Sequence, residues 1–183
     1  AEKDPEDEIH FSDLGQIFKS KMFWIIALLC VLYYSAIFPF QRFAANMLQC
    51  NLDGLTATQA ADIFRWFPIG AAAITPFLGY YLDRKGKGAT MLIGGALLLI
   101  ICHLVFAFVL PETKSEPIAY ATIVILGLSF ALVPASLWPS VPKIVDEKIL
   151  GSAYCLIFWI QNFGLSLTPL LIGSVLSSTN ANN

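Results

Sequence analysis

An all-α, polytopic membrane protein is what this sequence predicts, and three observations carry the prediction. Uncharged or nearly uncharged apolar runs recur along the chain, each long enough as a helix to cross the roughly 30 Å hydrocarbon core of a bilayer. Only 13% of the 183 residues are charged and 57% are hydrophobic, about half the charge of an ordinary soluble domain. The runs have neither the polar face of a soluble helix nor the two-residue alternation of a transmembrane barrel strand. The mean hydropathy of +0.69 agrees.

Residues 1–21 begin with the acidic block Glu2, Asp4, Glu6, Asp7 and Glu8, which reads as a solvated linker. Ile9, Phe11, Leu14, Ile17 and Phe18 then recur among polar residues. That pattern predicts a short interfacial helix, with Ser12 as its cap. No basic segment precedes a short apolar one, so the start does not read as a signal peptide; it resembles the cut end of a loop. A first span covers 22–41, without a charge, and Pro39 is expected to break it near its far end. Residues 42–58 read as a connection with Asn51, Asp53 and Gly54 as turn residues.

The spacing of Thr56 and Gln59 is that of a capping box. It opens a second span, 59–82, which holds Asp62, Arg65, Pro68 and Pro76. The stretch Gly79-Tyr80-Tyr81-Leu82-Asp83-Arg84-Lys85-Gly86-Lys87-Gly88 is then a short basic turn. Gly86 and Gly88 permit the reversal and Gly79 permits close helix approach. A third span at 88–110, a fourth at 117–141 and a fifth at 150–176 complete a bundle at 22–178, followed by a polar tail at 179–183. His103 lies in the third span, whose plain apolar character reads as lipid-facing or peripheral, with a proton site as the alternative.

Charge fixes the expected orientation. The face shared by the N-terminus and the second and fourth connections holds Lys3, Lys19, Lys21, Arg84, Lys85, Lys87, Lys143 and Lys148. The opposite face holds Arg42, Lys114 and Arg65. Positive residues favour the cytoplasm, so the N-terminus is expected inside. The net charge of -2 gives no reason to expect a nucleic-acid partner. Cys30, Cys50, Cys102 and Cys155 form no paired motif, so no metal site is expected. No nucleophile–base set or phosphate-binding loop is present, so neither an enzyme nor a cofactor is expected.

Gly79-x-x-x-Asp83-Arg84-x-Gly86-Lys87 resembles the loop signature of the major facilitator superfamily, with Lys87 and Gly88 in place of two closing arginines. In that family the signature follows the second helix and, more weakly, the eighth. The departures fit the second copy. The resemblance, which extends over nearly the whole chain, then implies five transmembrane helices of a C-terminal six-helix bundle. Tyr33-Tyr34 with Phe38-Pro39-Phe40, Ser136-Leu137-Trp138-Pro139, Leu150-Gly151-x-Ala153-Tyr154 and Gln161-Asn162-x-Gly164-Leu165 resemble the branch that includes a lysosomal dipeptide transporter and its bacterial relatives. That branch implies a multi-pass protein of a cell membrane, the bacterial inner membrane above all. Its partners would be the lipid bilayer, the N-terminal half of the same transporter, and a small organic solute or peptide. A lone half is not expected to transport.

Transporter cargo sites lie near the bilayer midplane, where polar side chains are costly unless partnered. Gln161 and Asn162 are candidates, either for cargo or for helix–helix hydrogen bonds. Tyr33, Tyr34 and Trp159 follow, with packing as the alternative, and Trp138 before Pro139 is a candidate gate. Arg65 either meets a carboxylate or snorkels to the outer interface. The resemblance gives Gly79, Asp83, Arg84, Gly86 and Lys87 a second role, as half of a conformational latch; without it they set topology. No Asp or Glu lies near the middle of a span, so a proton-coupling carboxylate would have to come from elsewhere. A secondary transporter is the leading expectation. A receptor or assembly protein of the same fold, and a small five-span structural protein, are the alternatives.

Overall fold

The computed structural model describes residues 11–181, apart from the side chains of residues 11–14, 83, 180 and 181. The acidic block at the start and the last two residues lie outside that range. The described residues form helices only: α1 (Phe11–Lys19), α2 (Lys21–Asn51), α3 (Ala57–Phe64), α4 (Trp66–Lys85), α5 (Gly88–Leu104), α6 (Leu110–Thr113), α7 (Glu116–Leu137) and α8 (Leu150–Ala181). A π-helical turn, Val105–Val109, joins α5 to α6, and 3-10 turns at Trp138–Lys143 and Glu147–Ile149 lie between α7 and α8. Among the described residues, four helical stretches are long and apolar enough to cross a membrane: Lys21–Asn51, Gly88–Thr113, Glu116–Lys143 and Glu147–Thr179.

Several boundaries differ from expectation, for local reasons. Helix α1 already includes Ser12, so that residue is inside the helix and not its cap. Helix α2 continues through Pro39 to Asn51, which shortens the connection predicted at 42–58. Ala44, Leu48 and Leu52 are buried at helical spacing beyond the proline, and that apolar stripe outweighs one lost hydrogen bond. The predicted span 59–82 is two helices. Arg65 ends α3 and begins α4, because Pro68 supplies no N–H to the Phe64 carbonyl one turn back. Trp66, Tyr80, Tyr81 and two prolines also lower the hydropathy of α4, and it is not among the four membrane-length stretches. Helix α8 carries on through most of the residues expected to form the tail.

The chain divides into two compact units. One comprises the residues up to Pro39 and those from Pro139 onward; the other is Phe40–Trp138. In the second unit α7 packs against α4 and α5. Glycines set how closely. A β-carbon added at Gly127 would lie 2.2 Å from the Phe67 carbonyl oxygen and 3.0 Å from the Ala71 nitrogen, and one added at Gly70 would lie 2.7 Å from the Val124 carbonyl oxygen. The α4 and α7 backbones therefore touch, as small residues at a membrane helix crossing allow. At Gly95 the β-carbon would meet Val133 Cγ2 at 2.8 Å, and the buried Ser129 hydroxyl donates to the Gly95 carbonyl at 2.8 Å. Within the first unit, a β-carbon at Gly164 would lie 2.6 Å from Val31 Cγ1 and 3.0 Å from Ser35 Oγ, which marks where α8 meets α2.

Thr56 caps α3 as its spacing predicts. Its hydroxyl accepts from the Gln59 N–H while the Gln59 side chain accepts from the Thr56 N–H. An ion pair, Lys114 Nζ to Asp53 Oδ2 at 2.7 Å, ties the turn after α6 to the turn before α3.

Candidate functional site

The first candidate region is the facing pair α2 and α8 in the first unit. Apolar α2 residues are buried at helical spacing: Phe23, Ala27, Cys30 and Ile37. Tyr33 and Tyr34 share this buried side. Their rings meet edge to face at 5.4 Å, and Tyr34 stacks on Phe38 at 5.6 Å. On α8 the buried stripe is Ala153, Ile157 and Gln161, continued by half-buried Gly164 and Thr168. These are steps of three and four, one face of a helix.

The amides of Gln161 and Asn162 are adjacent in sequence but do not converge. Gln161 is 6% exposed, and its Oε1 is buried without a hydrogen-bond partner. Asn162 is exposed, and its Nδ2 donates to the Phe158 carbonyl at 2.7 Å, so one of its donors is satisfied within its own helix. Trp159 is 70% exposed and tilts against Phe163 at 6.4 Å. Roughly 100° of helix rotation per residue separates these positions. Trp159 and Asn162 are thus on the exposed side of α8 and Gln161 on the buried side. Trp138, half-buried at the end of α7, belongs to the other unit.

Two residues without a role in the sequence reading complete the α2/α8 contact. Ser35 Oγ is buried and, like Gln161 Oε1, has no partner among the described residues. Gly164 brings α8 against it. A signal for Ser35 exists in the sequence: Pro39 stands four residues later, so the Ser35 carbonyl lacks its usual helical donor.

The second candidate region is the basic turn. Gly86 adopts φ 61 and ψ 15, and its N–H bonds the Leu82 carbonyl at 2.8 Å, so the left-handed conformation that favours glycine closes α4. Only Gly86 and Lys87 separate α4 from α5. The Arg84 guanidinium lies over the Tyr80 ring, 4.6 Å from its centroid and one turn back, a contact worth about 0.5–1 kcal/mol when exposed. Arg84 and Lys85 occupy the last turn of α4, where the helix dipole favours cations. Lys87 caps α5 without a side-chain hydrogen bond. Within this chain, a β-carbon at Gly79 would meet nothing within 4 Å. Close approach in this unit is made by Gly70, Gly95 and Gly127 instead. Gly88 is likewise not required for the reversal, since a β-carbon would make only ordinary contact, 3.5 Å from Leu82 Cδ1.

Arg65 is exposed and pairs with Asp62, three residues earlier. His103 is not on a bare lipid-facing surface. Its ring meets Phe40 edge to face at 5.1 Å, and Nδ1 lies 2.9 Å from the Leu99 carbonyl oxygen. No group of three or more potential metal ligands is present among the described residues.

Helices of this length and character, joined by the charged glycine turn, agree with the family comparison. The family model of the Major Facilitator Superfamily matches residues 2–169. This chain belongs to the Major Facilitator Superfamily. It is therefore a multi-pass membrane protein embedded in a lipid bilayer, in a family of transporters and not of enzymes. It is 33% identical over 153 residues to a lysosomal dipeptide transporter, MFSD1 of Danio rerio, which covers 84% of this chain and 32% of that protein. Identity to the Homo sapiens protein of the same name is 30% over 155 residues, covering 85% of this chain and 32% of the relative. The Gallus gallus protein is 29% identical over 155 residues. The chain spans about a third of the length of these curated relatives.

Proposed function

We propose that this chain is most of the C-terminal half of a secondary transporter that moves small organic solutes, short peptides above all, by alternating access. The observation that carries the proposal is the similarity, about 30% over most of the chain, to lysosomal dipeptide transporters. Its five spans are the four membrane-length helical stretches plus the α3–α4 pair. Trp66–Lys85 has 20 residues, which at 1.5 Å each reach roughly 30 Å. The N-terminus of the chain is cytoplasmic and the membrane is a bacterial inner membrane.

In this reading the pathway is enclosed by this bundle and an N-terminal partner bundle, and the chain alone does not transport. Tyr33, Tyr34 and Gln161 on the buried sides of α2 and α8, Trp159 and Asn162 on the exposed side of α8, and Trp138 in the other unit are its separate cargo candidates. Arg65, exposed beside Asp62, meets a cargo carboxylate at the outer mouth or one on the partner half. The turn from Gly79 through Asp83, Arg84 and Gly86 to Lys87 is the cytoplasmic latch. Its carboxylate docks at a helix N-terminus of the partner half, where the dipole favours an anion. The latch forms in the outward-facing state and breaks in the inward-facing one. Arg84, Lys85 and Lys87 hold anionic headgroups beside it.

Uptake of labelled dipeptides into proteoliposomes tests the proposal. The full-length protein containing this chain is expected to accumulate them, and Asp83→Asn to slow uptake while leaving cargo binding intact. The isolated chain is expected to be inactive. Absence of uptake of any solute by the full-length protein, together with retained binding of a protein partner, would replace transport with a receptor or assembly role.

A further inference from the structure

The α2/α8 contact holds a cluster of oxygen acceptors that the protein leaves unused. Ser35 Oγ and Gln161 Oε1 are both buried and unpartnered. Gln161 is more than nine-tenths buried. Ser35 Oγ faces α8, since it would lie 3.0 Å from a β-carbon at Gly164, and Gln161 is one turn before Gly164 on the same face of α8. The Ser35 backbone carbonyl also lacks its usual helical donor, because Pro39, one turn later, has no N–H. Ser35 and Gln161 both fall near the middle of their membrane-length helices. In such a place an unmet hydrogen-bonding group is expensive.

The chemistry of the cluster narrows what satisfies it. An amide oxygen and a backbone carbonyl only accept, and a hydroxyl turns to suit its partner. The missing group is therefore a donor. It is also a neutral one. α8 has no charged residue, and between Lys21 and Arg42 neither has α2. A buried cation would find no counter-charge on these helices. A hydroxyl donor would suit the oxygens equally well, but the peptide cargo proposed above offers an N–H in every peptide bond.

We infer that Ser35 and Gln161 form a subsite that accepts the N–H of the cargo's peptide bond. The inference rests on the peptide-transport reading and deepens it, because recognition of the backbone N–H leaves the peptide side chains unread. It also fits two buried oxygens that no group among the described residues satisfies. A permanent partner for them would have to be broken at every binding event.

Glycylglycine and glycylsarcosine, which differ by one N-methyl group on the peptide nitrogen, are the probes. Competition against labelled dipeptide uptake by the full-length protein is expected to favour glycylglycine by about tenfold, the worth of one buried hydrogen bond. Gln161→Leu and Ser35→Ala are each expected to shrink that preference to about twofold, by weakening glycylglycine while leaving glycylsarcosine unchanged. Equal competition in the wild type, or undiminished preference in both variants, overturns the subsite and leaves peptide transport standing. No peptide uptake by the wild type removes the transport reading and the subsite with it. Thermal unfolding of the purified, cargo-free protein in detergent gives an independent readout. Replacing an unpartnered buried oxygen with an apolar group of similar size is expected to leave the melting temperature unchanged or raise it. A lowered melting temperature in both variants means that these oxygens join helices to each other, and overturns the inference.

Discussion

Gly127→Ala is the substitution whose cost follows most directly from the helix packing. The new methyl carbon would sit 2.2 Å from the Phe67 carbonyl oxygen, while ordinary contact begins at 3.4 Å. Neither neighbour is the yielding end of a flexible side chain: both the Phe67 oxygen and the Ala71 nitrogen are backbone atoms. Relief therefore requires α4 and α7 to move apart by about 1 Å, and a radial gap of that size forfeits a quarter to a half of each dispersion contact along the crossing. The Gly70 approach to the Val124 carbonyl, on the same crossing, opens with it. Overpacking costs about 1–3 kcal/mol in well-packed cores, and two backbone-to-backbone contacts put this site at about 3 kcal/mol. Gly94→Ala is the internal control. It has open space around the added carbon and gains up to about 1 kcal/mol from helix propensity. Unfolding of the purified chain in mixed detergent micelles, followed by tryptophan fluorescence, measures both. If Gly127→Ala matches Gly94→Ala, α4 and α7 do not cross with their backbones in contact.

Three further substitutions probe other elements in the same unfolding assay. Gly164→Ala presses on Val31 Cγ1 and Ser35 Oγ; these are side-chain atoms, so its cost is about 1 kcal/mol, well below that of Gly127→Ala. A cost equal to that of Gly127→Ala would mean that neither side chain gives way. Thr56→Ala removes the cap and its reciprocal Gln59 bond, and is expected to destabilise by about 1 kcal/mol. No change would show that α3 starts elsewhere. Among the described residues, Lys114 is the non-glycine residue with positive φ, 47°. Lys114→Gly relieves that conformation while losing an exposed ion pair worth about 0–1 kcal/mol. It is expected to be neutral at low salt and stabilising at high salt, where the ion pair is screened. Destabilisation at both salt concentrations would count against it.

The helical, membrane-spanning character of this chain was readable from its sequence because hydrophobic length is a local property. So was the Thr56 cap, which needs only two residues at a fixed spacing. The prolines were harder to read. Pro39 sits inside a helix that continues to Asn51, whereas Pro68 coincides with a break, although each removes one hydrogen bond. Long-range burial of Ala44, Leu48 and Leu52 decides the first case, and no local rule contains it. The glycines divide for the same reason. Gly79 and Gly127 look equivalent in an apolar run, yet only Gly127 has another helix against it. The split between Gln161, buried, and Asn162, exposed, follows from helix rotation once the buried stripe of α8 is known. Ser35 was missed because a lone serine in an apolar run carries no signal until the proline one turn later is counted with it.

Two helix contacts, one in each unit, treat buried polar atoms differently. Polar atoms inside a bilayer must be satisfied by the protein or by something it carries. At the α5/α7 crossing the solution is internal: the Ser129 hydroxyl donates to the Gly95 carbonyl, and a glycine removes the bulk that would keep them apart. Such a contact is closed and its hydrogen bond is met within the chain. At the α2/α8 contact a glycine also brings the helices together, yet Ser35 Oγ and Gln161 Oε1 stay unpaired. Under the proposed subsite, close packing without satisfaction leaves a cost in place that an arriving donor would remove. Evolution toward stability alone would place leucine and alanine at these positions; under the proposed function, that gain in stability would come with a loss of peptide-bond selectivity.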